Sequence, residues 1–474
     1  MRRRTLFFFI FLSSLLIASP LVTEFDGKLV YNCLNFGKPL PGILPIPSGE
    51  EKDEVSIEIS PFFYFGSAGG KTKTGWFVLA DPPWENFYLF ERTPSFVKIS
   101  LEGHVGKIFL YGEIPLRNNY NDFYLDFHSN IPPMWKEPYT NADTNFPYTA
   151  YLLYNDKDFY VVVGRSKVRW GGSDFPVSIS DVSPCFNHFT FSTKGTIRYT
   201  LHVISINPVL TEEEWEKQSN YRPVNADPLS PYTEKVKTLA AHKVDLYPLE
   251  SLRIGLGELT MIGGKYPDLF SLSPLAIWHN NYNEGYTNSM GVLDFSYVPA
   301  EGWELHGEFA LDDLVGTTES DSKPTAYAFN VGLRKSFSFD SFKGVFGVEY
   351  AFSSKFVYNT FLPYLKFNNR FLYLTNLPPS RTVVDYPVGF AFGPDAHFLN
   401  FRLDLFYKDL QLTTNLFHLV KGPNTFYTEY PKEESGEVKE RWGINVEGEY
   451  KGVVISFRVI DGELLVGAGF EWKF

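Results

Sequence analysis

The C-terminal run alternates, and the alternation survives two turns. From Leu464 the even positions are Leu464, Val466, Ala468, Phe470, Trp472 and Phe474. The odd positions are Leu465, Gly467, Gly469, Glu471 and Lys473. A period of two places these sets on opposite faces of a β-strand, one apolar and one mostly small or charged. Upstream, Asp461-Gly462 is a two-residue hairpin signal. It sets Val459 opposite Leu464, Phe457 opposite Val466 and Ile455 opposite Ala468. Lys451-Gly452 then sets Tyr450 opposite Val453, Gly448 opposite Ile455, Val446 opposite Phe457 and Ile444 opposite Val459. Three strands keep one apolar face, which a slip of one residue would destroy.

The same pattern recurs in Trp303 to Asp312, Tyr327 to Arg334 and Leu399 to Tyr407, where Lys408-Asp409 turns the chain. Less cleanly, Val55 to Phe65, Phe96 to Leu101, Lys107 to Ile114, Thr149 to Tyr154, Phe159 to Gly164 and Thr196 to Ile204 also read as strands. A soluble β-sandwich or solenoid would alternate too, but its solvent face would carry Lys, Glu and Thr, with fewer large aromatics on the other face. Here aromatic residues make up 18% of the chain, with 45 Phe and 29 Tyr. A barrel displays such residues to lipid and in interfacial girdles. The expected fold is all-β, a transmembrane antiparallel barrel of roughly 16–18 strands with long loops on one side.

Export is expected as well. Arg2, Arg3 and Arg4 precede a short apolar run, Leu6 to Ala18, the pattern of a signal peptide over residues 1–19. Residues 20–474 then form a single barrel domain. No later apolar stretch reaches the roughly 20 residues of a transmembrane helix. With 55 acidic against 43 basic residues the net charge is −12, which excludes a nucleic-acid footprint. Cys33 and Cys185 are the only cysteines and offer a weak disulfide hypothesis.

Non-strand segments are Asn118 to Pro147, Asn207 to Lys237, Pro378 to Pro394 and Val420 to Lys439. In the second, Thr211 and Glu214 stand at capping-box spacing and predict a short helix. The Asn- and Asp-rich stretches within Asn118 to Asn145 lack a fixed calcium-ligand spacing and read as turn chemistry. There is no zinc-helix, nucleophile-elbow or phosphate-loop motif, so no enzyme, metal or cofactor is expected. Glu304, His306, Glu308, Arg334, Glu349, Arg402 and Asp404 fall on the inward face. There they either tune ion selectivity or hydrogen-bond one another or a plug.

One stretch stands apart: Gly164-Arg165-Ser166-Lys167-Val168-Arg169-Trp170-Gly171-Gly172, followed by a Ser/Pro loop to Phe186. Arg with Trp suits carbohydrate, while an interfacial girdle Trp with snorkelling arginines is the plainer use. This run resembles a Gly-Arg…Trp-Gly…Leu-Ser…Pro-Phe region of the Wzi-like capsule-assembly outer-membrane proteins. Leu252 to Pro274, Met290 to Leu314 and Tyr386 to Leu405 are similar to later regions of that family in the same order. The likeness runs from about Tyr151 to the end.

The resemblance implies a monomeric, mostly closed outer-membrane barrel that holds surface polysaccharide in a lectin-like, non-catalytic way. Arg165, Arg169 and Trp170 would then lie near the ligand, with Asp312, Asp313 and Asp395 as motif positions. The alternatives are a passive porin and a structural envelope protein. Two departures stand out. Trp170-Gly171-Gly172-Ser173 replaces the family's Trp-Gly-Pro-Gly, and Phe25 to Pro61 shows no convincing helix, which removes sequence support for a periplasmic plug. The expected partners are outer-membrane lipid, surface polysaccharide and the barrel-insertion machinery, for which terminal Phe474 would be the signal. Deleting Phe474 is expected to lower assembly.

Overall fold

The computed structural model describes residues 21–48, 55–68, 95–118, 142–143, 149–221, 232–270, 272–273, 286–314, 324–374, 381–461 and 463–471. The expected signal segment 1–19, Phe474, and nearly all of Asn118 to Pro147 lie outside these residues.

Among the described residues, eighteen strands, from Val55–Ala68 to Glu463–Glu471, close into one antiparallel barrel. Ala142–Asp143 adds a two-residue extension beside Ile108–Asn118. Closure comes from pairing the last strand with the first, Ala468 opposite Phe65. Among the described residues all neighbouring barrel strands are antiparallel, and closure of the sheet pairs strands that would otherwise be its edges.

The predicted registers appear as read. Val459 faces Leu464 and Ile455 faces Ala468. Ile444 faces Val459 and Tyr450 faces Val453. Lys451 and Gly452 have φ of 48° and 81°, the left-handed pair that a tight hairpin matching strand twist requires. Tyr407 faces Leu410 across Lys408-Asp409. Ile455, Phe457, Val466 and Phe470 point outward and are exposed, forming an apolar band on the outside of the barrel.

The two ends of the barrel differ. At one end the turns are short, as between Ala300 and Trp303, Phe339 and Phe342, or Tyr450 and Val453. At the other, most connections are long, including 167–185, 207–236, 354–395 and 422–438. The predicted loop helix is present as Glu212–Asn220. Thr211 Oγ1 accepts the Glu214 N–H, and the Glu214 carboxylate accepts the Thr211 N–H, completing the capping box.

Three expectations are corrected. Phe25 to Pro61 does contain a helix, Gly27–Asn35, whose Asp26 side chain accepts the Leu29 N–H at 2.6 Å. Leu29, Val30, Cys33 and Leu34 bury one face of it. The segment Pro378 to Pro394 is not all loop: Arg381–Pro387 pairs with Asn368–Leu374 as a hairpin outside the barrel sheet. Cys33 and Cys185 are both buried and are not joined by a disulfide; Cys33 sits on the helix while Cys185 leads into the strand Phe186–Thr193.

The core lies inside the barrel. Val22, Leu29, Leu34, Leu40 and Leu44 pack on Val298, Val345 and Phe406 of the wall. Trp170, Val177 and Ile179 pack with Leu259, Met261, Tyr358, Phe390 and Phe398. A closed sheet with a polar inner face gains this apolar burial only because other parts of the chain enter it.

Candidate functional site: the filled lumen and its cap

Two segments meet inside the barrel. Residues 21–47 enter at the short-turn end, where Gly302 N–H bonds the Leu34 carbonyl and Ser336 Oγ bonds Asn35. The loop 167–185 enters between the strands Phe159–Ser166 and Phe186–Thr193. The two segments pair antiparallel, Arg169 opposite Leu44 and Trp170 opposite Ile43.

The wall holds both segments through charged side chains. Its cations take the carbonyls of the N-terminal segment: Lys243 Nζ donates to Gly42 O at 2.6 Å and Arg253 Nε to Leu40 O at 3.0 Å. Asp294 and Asp245 neutralise both cations in turn, Lys243 to Asp294 at 2.6 Å and Arg253 to Asp245 at 2.9 Å. Wall carboxylates take the amides of the inserted loop. Glu308 accepts from Val177 N and Ser178 N at 2.9 and 3.1 Å, and Glu349 from Asp174 N and Phe175 N at 2.7 and 2.8 Å. Charged hydrogen bonds of this kind are the strong ones, and they satisfy loop amides that would otherwise be buried unpaired.

The seven charges read as inward from alternation all sit within the barrel. Arg334 bridges Glu304 at 2.9 Å, Asp174 at 3.2 Å and the Gly172 carbonyl at 2.8 Å. His306 Nε2 lies 3.1 Å from Glu349. Arg402 pairs with Asp404 at 2.8 Å and reaches Asp174 at 3.4 Å. They hydrogen-bond one another and the inserted segments.

The residues expected near a ligand separate. Arg165 points outward from the wall, donating to Asn187 at 2.8 Å on the face that carries exposed Val163 and Phe189. Arg169 and Trp170 are interior. Trp170 is 0% exposed and offers no ring face to a ligand from outside. Its indole lies on Gly257, where a Cβ would come within 2.7 Å, and under the Lys243 ammonium at 5.5 Å. Arg169 pairs with Asp181 at 3.5 Å and donates to the Ser173 carbonyl. The alternating pattern had ended by Trp170, so nothing local marked the chain's inward turn.

The three aspartates anchor the long-loop end. Asp312 accepts the Tyr358 N–H at 2.7 Å, and Asp313 accepts the Tyr430 hydroxyl at 3.1 Å. Asp395, at φ 58°, accepts the Asn424 N–H and side-chain amide at 3.1 and 2.6 Å.

These anchors carry a cap. Arg370 on the hairpin holds Asp385 and Glu214, each through two bonds of 2.7 to 3.0 Å. Tyr427 adds its hydroxyl to Asp385 at 2.8 Å. Burial alone would raise the Glu214 carboxyl, but the Arg370 guanidinium outweighs it and holds it below the usual carboxylate range. Among the exposed groups at this end are Tyr266, Phe361 and Tyr427, with the Lys235 ammonium 5.1 Å from the Trp215 ring. Among the described residues no cluster of His, Cys, Asp and Glu has the arrangement of a metal site.

No family model matches the chain, and no curated protein matches its sequence. Solved structures do resemble it. Wzi of Escherichia coli, an outer-membrane protein involved in group 1 capsule assembly and a carbohydrate-binding β-barrel, shares 14% identity. The match covers 96% of this chain and 100% of Wzi with a TM-score of 0.58. OccD3 of Pseudomonas aeruginosa matches at 9% identity over 97% of this chain and 96% of its own, with a TM-score of 0.43. At these identities the likeness to Wzi is one of fold: the chain is an outer-membrane-type β-barrel.

Proposed function

We propose that this chain resides in the outer membrane and holds surface polysaccharide at its long-loop end, as a non-catalytic binding protein and not a pore. The observation that carries the reading is the filled lumen. Wall charges that would set selectivity in a porin are taken up by the backbone of 40–42 and 174–178. What is left to present outward is the cap, whose aromatic rings beside Lys and carboxylate groups suit sugar C–H faces and hydroxyls. The resemblance of the Trp170 region to a capsule-assembly family agrees with this, although Trp170 serves the interior. In this reading the short turns face the periplasm, the apolar band contacts outer-membrane lipid, and a monomer suffices because the barrel closes on itself.

Two measurements test it. The purified protein in planar bilayers is expected to give no steady conductance; large, stable channels would establish the porin instead. An array of surface polysaccharides is expected to retain the native protein above a boiled control. No retention on any glycan, with a closed barrel, would leave only a structural envelope role.

A further inference from the structure

Three segments distant in sequence are hydrogen-bonded in series along the inside of the barrel. Gly171 N donates to Gly42 O at 2.9 Å, joining the inserted loop to the N-terminal segment. Trp170 N donates to Ile179 O at 3.0 Å, carrying the connection across the loop. Ser180 N donates to Val388 O at 2.8 Å, and Val388 N to Phe367 O at 3.0 Å, joining the loop to the cap hairpin. Side chains brace the same path: the Tyr358 hydroxyl donates to Val177 O at 2.6 Å and accepts from Phe390 N at 3.1 Å. Asn369 Nδ2 donates to Ser183 Oγ at 2.7 Å.

We propose that this series is an axial spine that couples the two ends of the barrel. Displacing residues 40–44 in the short-turn half loosens the cap at the long-loop end, and loosening the cap releases residues 40–44. The physical reason is that each link is a buried backbone bond. When a link is broken its donor and acceptor have no water to turn to, so neighbouring segments shift together. The apolar packing acts in the same sense, because the Trp170 ring is fully buried between Gly257 and Lys243 while its backbone pairs with Ile43. Coupling of this kind is reciprocal. The inference rests on the closed lumen and is independent of the polysaccharide reading.

Amide hydrogen exchange on the folded, full-length protein in detergent micelles tests it. Gly42→Val displaces the N-terminal segment, because a side chain there would run into Asp245 and Arg253. It is expected to speed exchange roughly threefold or more at residues 177–181 and 383–390. Arg370→Met, which removes the hairpin's cross-strand pair with Asp385 and its hold on Glu214 of the loop helix, is expected to speed exchange at residues 40–44. Phe36→Ser, at the exposed end of the N-terminal helix, is expected to leave both regions at wild-type rates. Faster exchange confined to 40–44 and the adjoining wall in G42V, or confined to the cap in R370M, overturns the spine. So does an equal response to F36S, which would mean general loosening. If G42V fails to assemble, the response of 40–44 to R370M decides alone.

Discussion

At the scale of single residues, the interior explains which side chains matter and in what sense. Trp170 was the natural candidate for a sugar platform, yet its ring is enclosed. Trp170→Ala should therefore cost about 3–5 kcal/mol of stability through lost burial and a cavity. It removes no ring face that a glycan could reach, so glycan retention per folded molecule should fall only as far as the cap itself loosens. The midpoint of heat-induced mobility shift on gels, compared with array binding of the folded fraction, checks both halves. Glu308 gives a second case. Glu308→Ala leaves the Val177 and Ser178 amides buried without an acceptor, at roughly 1–3 kcal/mol for each unsatisfied group. The same thermal shift should fall, and more than for Glu440→Ala, where the carboxylate is on the exposed outer face.

At the scale of elements, caps and turns behave as local chemistry dictates. Thr211→Ala removes one half of the capping box and should cost the Glu212–Asn220 helix about 1 kcal/mol, read as faster amide exchange confined to that helix. Glu214 adds a pH dependence to the cap. Its folded carboxyl is held below its unfolded value, so its contribution is present above the unfolded value and lost as pH falls through the folded one. Acidification below about pH 4 should loosen the hairpin 368–387 against the helix. Glu214→Gln should flatten that dependence in exchange measured across the acid range. The elements also show the reach of alternation. Strands with a clean two-residue period, such as Trp303–Asp313 and Ala396–Tyr407, were legible with their faces. Lys237–Leu249 was not, because Ala240, Ala241, His242 and Lys243 in its centre blur the two faces.

At the scale of the whole molecule, the lumen is filled from both ends, and conductance is the property that reports it. The wild type should be silent in planar bilayers. Glu308→Ala combined with Glu349→Ala releases four loop amides from the wall and should produce openings, seen as intermittent current steps. A double variant that stays folded and fully silent would show that the packing of Trp170, Val177 and Ile179, with the bonds along the spine, keeps the loop in place without these carboxylates. Either result separates the electrostatic grip from the apolar one.

The barrel and the register of its last strands were determined by sequence alone, because strand alternation and two-residue turns are local rules with a period of two. The same rules identified Glu304, His306, Glu308, Arg334, Glu349, Arg402 and Asp404 as inward. What those inward charges face was decided only by tertiary structure. Whether a barrel is a pore or a solid depends on which distant segments return to its axis. The pairing of Ile43 with Trp170 spans chain that no local pattern links. Burial of Trp170 follows from that pairing, which is why a residue whose chemistry suited a ligand turned out to hold the interior together.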